Sequence, residues 1–240
     1  MKLFSSIALL ALLTLLLPRP ARADEPLIPM EDFFRNPEQS GFQLSPNGEY
    51  ISFMKPWERR MNIFVQKIGA EEAVRVTSAT ERDIPAYFWS GNDRIVYLQD
   101  RGGDENYRLY AVSSDGTESR ELTPFENTRV DVIGTSESIR DRILIGLNNR
   151  DARFHDPYLL DLNTGELELV LQNDGFAGFL ADDNLALRLA IRPNASGGMD
   201  FHQITGGAIA EEASESTGLD DSLTTHPIGF TTDGRTMYWI

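Results

Sequence analysis

The chain has 240 residues, no cysteine and a formal net charge of −15. The missing thiols exclude disulfide staples, cysteine-based metal sites and a lipidated cysteine, so the fold must rest on a sizeable apolar core. The acidic balance opposes approach to nucleic acid or an anionic membrane and favours solubility.

Residues 1–23 read as a secretory signal peptide. Lys2 supplies the positive start, residues 7–17 form an apolar run broken only by Thr14, and Ala21-Arg22-Ala23 offers small residues to a signal peptidase. Cleavage is expected before Asp24. The run is too short to serve comfortably as a membrane span. Removing Lys2, Arg19 and Arg22 leaves 19 basic against 37 acidic residues, a balance of −18. The product is therefore expected in a periplasm or outside the cell, with no membrane association after cleavage.

Residues 24–41 form a lead-in segment. Residues 31–35 can make one helical turn, with Glu31 and Asp32 suited to its N-terminal end, and Pro37 prevents a longer helix. Phe33 and Phe34 are expected to anchor this segment.

From Phe42 to Ile240 one pattern repeats: an aromatic or large apolar residue, a polar turn, then an alternating apolar run. It begins at Phe42, Phe88, Ile133, Phe179 and Phe230, at intervals of 46, 45, 46 and 51 residues. Within each unit, short β-branched and aromatic segments are separated by turn residues. The first unit places strands at 50–55, 62–68 and 73–77. The second places them at 86–89, 94–99, 107–113 and 118–123, and the third at 129–135, 142–147, 157–162 and 166–171. Gly69, Gly116, Gly165 and Gly207 mark the turn before each fourth strand, spaced 47, 49 and 42 residues apart. A β-sandwich also has strands at such intervals, but recurrence of a whole four-strand unit specifies a β-propeller. The fold class is all-β, with about four four-stranded blades and the start of a fifth in residues 42–240. The last copy stops where a strand should be running, so the propeller is expected to be incomplete. The fourth unit is the least regular, and residues 211–216 read as a solvated outer strand or loop.

Chemistry is sparse. His155, His202 and His226 have no metal-ligand spacing, so structural roles are expected for His155 and His202. Gly134-Thr135-Ser136-Glu137-Ser138 lacks the second glycine and the strand-to-helix context of a nucleophile elbow. The acidic loop 100–107 lacks the ligand order of a calcium site and reads as a polar hairpin. Asn194-Ala195-Ser196 matches a glycosylation sequon and reads as incidental. No catalytic, cofactor-binding or metal-binding residue is assigned, and no cofactor is expected.

Ile28-Pro29-Met30-Glu31-Asp32-Phe33-Phe34-Arg35-Asn36-Pro37, joined directly to Phe42-Gln43-Leu44-Ser45-Pro46-Asn47-Gly48, resembles the mature start of secreted prolyl oligopeptidase family members. These include acylaminoacyl and dipeptidyl peptidases. Asp104-Glu105-Asn106-Tyr107-Arg108-Leu109-Tyr110 and Glu121-Leu122-Thr123-Pro124 are similar to the family's second blade. The resemblance implies the N-terminal propeller of a serine peptidase, which limits entry to short peptides. It also implies a Ser-Asp-His triad in a C-terminal α/β-hydrolase domain, the propeller's expected partner. That domain is missing from this sequence, so the resemblance assigns no catalytic residue and the chain alone is expected to be inactive. A second reading is a periplasmic protein-binding propeller of the TolB kind. Repeats that begin about twenty residues after the cleavage site favour the first.

Overall fold

The computed structural model describes residues 27–240, so the expected signal peptide lies outside the described residues. The chain divides into two units, Met1–Asn36 and Pro37–Ile240. In the first, α1 (Met30–Phe34) carries Glu31 and Asp32 in its opening turn and gives way to extended backbone at Arg35. Phe33 and Phe34 are 70% and 82% exposed.

The second unit is built from antiparallel meanders. Blade 1 comprises β1 (Ser40–Leu44), β2 (Tyr50–Trp57), β3 (Arg60–Lys67) and β4 (Ala73–Arg75). Blade 2 follows as β5 (Ala86–Trp89), β6 (Arg94–Gln99), β7 (Arg108–Ser113) and β8 (Ser119–Glu121). Blade 3 is β9 (Val130–Gly134), β10 (Arg142–Asp151), β11 (Phe154–Asp161) and β12 (Leu167–Leu169). Blade 4 contains β13 (Gly178–Ala181), β14 (Leu187–Pro193), β15 (Met199–Thr205) and β16 (Ala208–Ile209). Its outer edge is split, because β17 (Glu215–Ser216) also pairs with β15. A hairpin of β18 (Pro227–Phe230) and β19 (Met237–Trp239) completes the described strands.

The core lies between blades rather than within them. Ile143, Ile145 and Leu147 of β10 pack with Val96 and Leu109 of blade 2. Leu144, on the opposite face of β10, packs with Leu187 and Ala190 of blade 4. Ile95 and Tyr97 of β6 likewise join Ile63 and Val65 of blade 1, while Val96 turns to blade 3. Side chains alternate along a strand, so a strand between two neighbours must be apolar on both faces. This explains why β6 and β10 carry apolar residues at consecutive positions, Ile95–Leu98 and Ile143–Ile145, rather than in strict alternation.

Turn chemistry sets the register. The glycines before the fourth strands, Gly69, Gly116, Gly165 and Gly207, have φ of 84°, 77°, 82° and 81°, the left-handed region that favours glycine. At one of these turns, Ser113 Oγ and the Thr117 N–H donate to Asp115 and hold its carboxyl down to about 2. The strand expectations hold with shifts at the ends. Blade 1 begins at Ser40, ahead of Phe42. β3 starts at Arg60 because the β2–β3 turn uses Glu58 and Arg59 at φ of 48° and 67°. No glycine marks that turn in the sequence.

One position recurs on every third strand. Asn62, Arg108, Asp156 and His202 are buried polar residues, each two places before the residue that pairs with the fourth strand. Three of them bond a backbone group 17 residues ahead, at Ala79, Phe125 and Asn173. His202 instead places Nδ1 3.0 Å from the Ala210 carbonyl oxygen. These side chains tie each third strand to the segment leaving its blade.

Candidate functional site

The first strands of neighbouring blades adjoin, β1 beside β5 and β9 beside β13. The turns that leave them converge on a cleft of about 350 Å³. Blade 1 contributes Leu44 and Pro46, blade 2 contributes Phe88 and Trp89, and blade 3 contributes the connection from Thr135 to Ile143. The Trp89 ring is held by Nε1–H donation to Ser52 Oγ at 2.8 Å. Ser52 Oγ also accepts from Tyr87 Oη at 3.0 Å, so one buried hydroxyl positions two aromatic rings.

Side chains rather than helical structure hold the 135–141 connection. Ser136 Oγ accepts the Ser138 and Ile139 N–H groups at 3.1 and 2.9 Å. Asp183 accepts the Glu137 N–H at 3.1 Å and the Ser138 hydroxyl at 3.3 Å. Ser90 Oγ donates to the Arg140 carbonyl at 2.6 Å, and Arg140 donates to the Glu137 carbonyl at 2.7 Å and to Asn92 at 3.4 Å. The turns of blades 2, 3 and 4 are thus linked to one another, which fixes the cleft wall. The serine-rich segment once comparable to a nucleophile elbow is this connection, following β9 without a helix.

Arg142 differs from Arg140. Its Nε is ion-paired with Asp161 Oδ2, its cross-strand partner on β11, at 3.9 Å, and it also lines a shallow surface with Glu166 and Glu168. A larger cleft of about 570 Å³ lies beside Arg94 and Arg120. Those guanidiniums are already used, Arg94 on Asn163 Oδ1 at 2.5 Å and Arg120 on the Asn163 and Leu162 carbonyls at 2.9 and 2.8 Å. It is a seam that joins blades 2 and 3.

The histidines stand apart. His155 is on β11, with Nε2 3.4 Å from Asp131, and His202 is buried on β15 with its ring at 74° to that of Phe176, the centroids 5.4 Å apart. His226 precedes β18 and exchanges backbone hydrogen bonds with Ile240. No side-chain hydroxyl hydrogen-bonds an imidazole among the described residues, nor do they contain a cluster of three potential metal ligands.

In the loop 100–107, Asp104 accepts the Arg101 and Asn106 N–H groups, and Asp100 lies 3.5 Å from Arg82. Its aspartates brace the loop and tie it to Arg82 and Arg108 at its flanks. Asn194 Nδ2 donates to Asp200 and to the Thr217 carbonyl at 3.1 and 3.0 Å, so the sequon amide is committed to a turn. Sequence reasoning missed Trp89 as a cleft residue. Its only linear signal is a position just before a blade's first turn.

These features define a β-propeller with a cleft at the turns of its inner strands. No family model matches the chain. It is 38% identical over 216 residues to dipeptidyl aminopeptidase BIII of Pseudoxanthomonas mexicana, covering 89% of this chain and 31% of that protein. It is 30% identical over 230 residues to dipeptidyl peptidase family member 6 of Caenorhabditis elegans, again covering 89% and 31%. The chain therefore spans about a third of the length of these curated relatives. The resemblance to prolyl oligopeptidase family peptidases is borne out, and it is to a propeller region. Among solved structures, the β-propeller domain of the Trilobed protease from Pyrococcus furiosus aligns with a TM-score of 0.50 at 16% identity, covering 79% of this chain and 59% of that one. TolB from Acinetobacter baumannii aligns with a TM-score of 0.51 at 13% identity, covering 83% and 47%. At these identities the structural likenesses establish the fold alone.

Proposed function

We propose that the chain is the non-catalytic, substrate-gating propeller portion of a secreted serine peptidase that acts on short peptides. The observation that carries this reading is the sequence similarity to two dipeptidyl peptidases over 89% of the chain. TolB shares the fold at 13% identity, so its likeness does not carry a competing function. In this reading the Ser, Asp and His belong to a C-terminal α/β-hydrolase domain, and the propeller restricts which peptides reach them. The inter-blade core suits that task, because packed layers between blades keep the turns rigid. Secretion rests on the signal-like residues 1–23.

The reading frame after Ile240 tests the proposal. Further blades followed by a Gly-x-Ser-x-Gly strand–turn–helix are expected. A stop codon with no hydrolase domain downstream would sink it and leave the protein-binding propeller.

A further inference from the structure

We propose that the face of blade 1 turned away from blade 2 docks a second copy of this chain, through that copy's β18–β19 hairpin and the segment leading into it. Blade 1 turns Ile63 and Val65 of β3 toward blade 2. Strand alternation and the cross-strand pairs put Phe53 and Lys55 of β2, Phe64 of β3 and Arg75 of β4 on the opposite face. Phe42, Phe53 and Phe64 form a row across it, with ring centroids 5.6 and 6.0 Å apart. Phe42 at the inner end of the row is exposed, as is Leu44 beside it.

The charge on this face is of one sign. Lys55 Nζ lies 5.8 Å from the Phe64 ring centre, and the Arg75 guanidinium stacks 3.7 Å from that of Trp57. Arg75 donates to the Thr77 carbonyl at 2.7 Å, and among the described residues neither cation pairs with a carboxylate. The strand positions on this face hold no aspartate or glutamate. A chain of net −15 thus presents here a sheet face that is aromatic and cationic.

The β18–β19 hairpin has the complementary character. It packs Trp239 against Phe201 of blade 4, the rings 4.9 Å apart, and leaves Ile228 and Tyr238 exposed on its other side. The segment entering β18 carries the exposed Asp220 and Asp221 between the exposed Leu219 and Leu223. One apolar sheet face against the next is the way the blades already pack within the chain. Two blade 1 faces would oppose their cations, so the contact runs head to tail, a heterologous interface. At physiological salt the screening length is about 8 Å. Remote charges of two acidic chains are then screened, while side chains opposed in the contact still attract.

Sedimentation equilibrium of the 240-residue chain at physiological salt tests the assignment with two variants, each altered on one face. Phe42→Asp with Lys55→Glu alters blade 1, and Ile228→Lys with Tyr238→Lys alters the hairpin. The parent chain should self-associate, and each variant alone should lose at least tenfold in association constant. An equimolar mixture of the two should recover a dimer, because it holds one intact face of each kind. Asp220→Lys with Asp221→Lys should weaken the parent's association at least threefold. Unchanged thermal unfolding would verify the fold of each variant, and Lys55→Glu alone, at an exposed residue, serves where the double substitution perturbs it. A monomeric parent, a blade 1 or hairpin variant that associates like the parent, or a mixture that stays monomeric would overturn the proposal. It goes beyond the peptidase reading, and its failure would leave that reading standing.

Discussion

Asn62 and Ala79 are joined by two hydrogen bonds: Asn62 Nδ2 donates to the Ala79 carbonyl at 2.9 Å, and Asn62 Oδ1 accepts the Ala79 N–H at 2.7 Å. Thr77 Oγ1 donates to the same Oδ1 at 3.0 Å. One fully buried amide thereby replaces the strand partner that the departing segment lacks. Alanine at Asn62 would leave the Ala79 groups unpaired in the interior, at about 1–3 kcal/mol for each orphaned group. Asn62→Ala should therefore lower unfolding free energy by roughly 3 kcal/mol on that scale, measured by urea denaturation. A change near zero would remove the latch from the account.

Asp156 occupies the same position in blade 3 and makes the latch sensitive to acid. Burial pushes its carboxyl upward, but hydrogen bonds from Arg150 at 2.8 and 2.9 Å and the Asn173 N–H at 2.7 Å outweigh this and hold it low. A carboxyl whose folded pKa lies below its unfolded value contributes stability above about pH 4, the ordinary carboxylate range. That contribution is lost as pH falls through the lowered folded value. Stability measured from pH 6 to pH 2 should thus decline on the acid side. Asp156→Asn should be less stable at pH 6 and show a shallower decline, and parallel curves would contradict this.

The repeat was legible because it rests on turns and alternation. Phe88-Trp89 followed by the run 94–99 marks two strands whose bounds are those observed. The hairpin at Glu58 and Arg59 was not legible, since its left-handed backbone occurs without glycine or asparagine. The latch positions fall 46, 48 and 46 residues apart, yet they are asparagine, arginine, aspartate and histidine. What they share is burial and a partner on the outgoing segment, and residue type does not reveal either. The cleft was hidden for a related reason: Leu44, Trp89 and Ile139 come from three blades and meet only when blades pack.

Two glycines should respond differently to alanine. At Gly198 a Cβ would lie 1.9 Å from the Thr217 carbonyl oxygen, so β15 and the segment carrying β17 would have to separate. At Gly207, φ is 81° and no atom lies within 4 Å of the added carbon. Gly207→Ala should cost only the left-handed strain, about 1–2 kcal/mol. Gly198→Ala should cost more, and the reverse order in thermal unfolding would refute the packing of blade 4.

The first and last sheets both expose apolar side chains. Phe42 and Leu44 are 55% and 62% exposed on β1, and Ile228, Tyr238 and Ile240 are 56%, 53% and 60% exposed around the last hairpin. Unpartnered strand faces and edges favour association. Light scattering coupled to gel filtration should show concentration-dependent self-association of the chain, reduced by Ile228→Lys together with Ile240→Lys. A monodisperse monomer at all concentrations would contradict this.

Hydrolysis by the purified 240-residue chain tests most directly whether the chemistry lies outside this propeller. Incubated with dipeptidyl amides and esters at neutral pH, it should release no product above buffer and should take up no serine-directed fluorophosphonate label. Turnover that co-purifies with the chain would contradict the account.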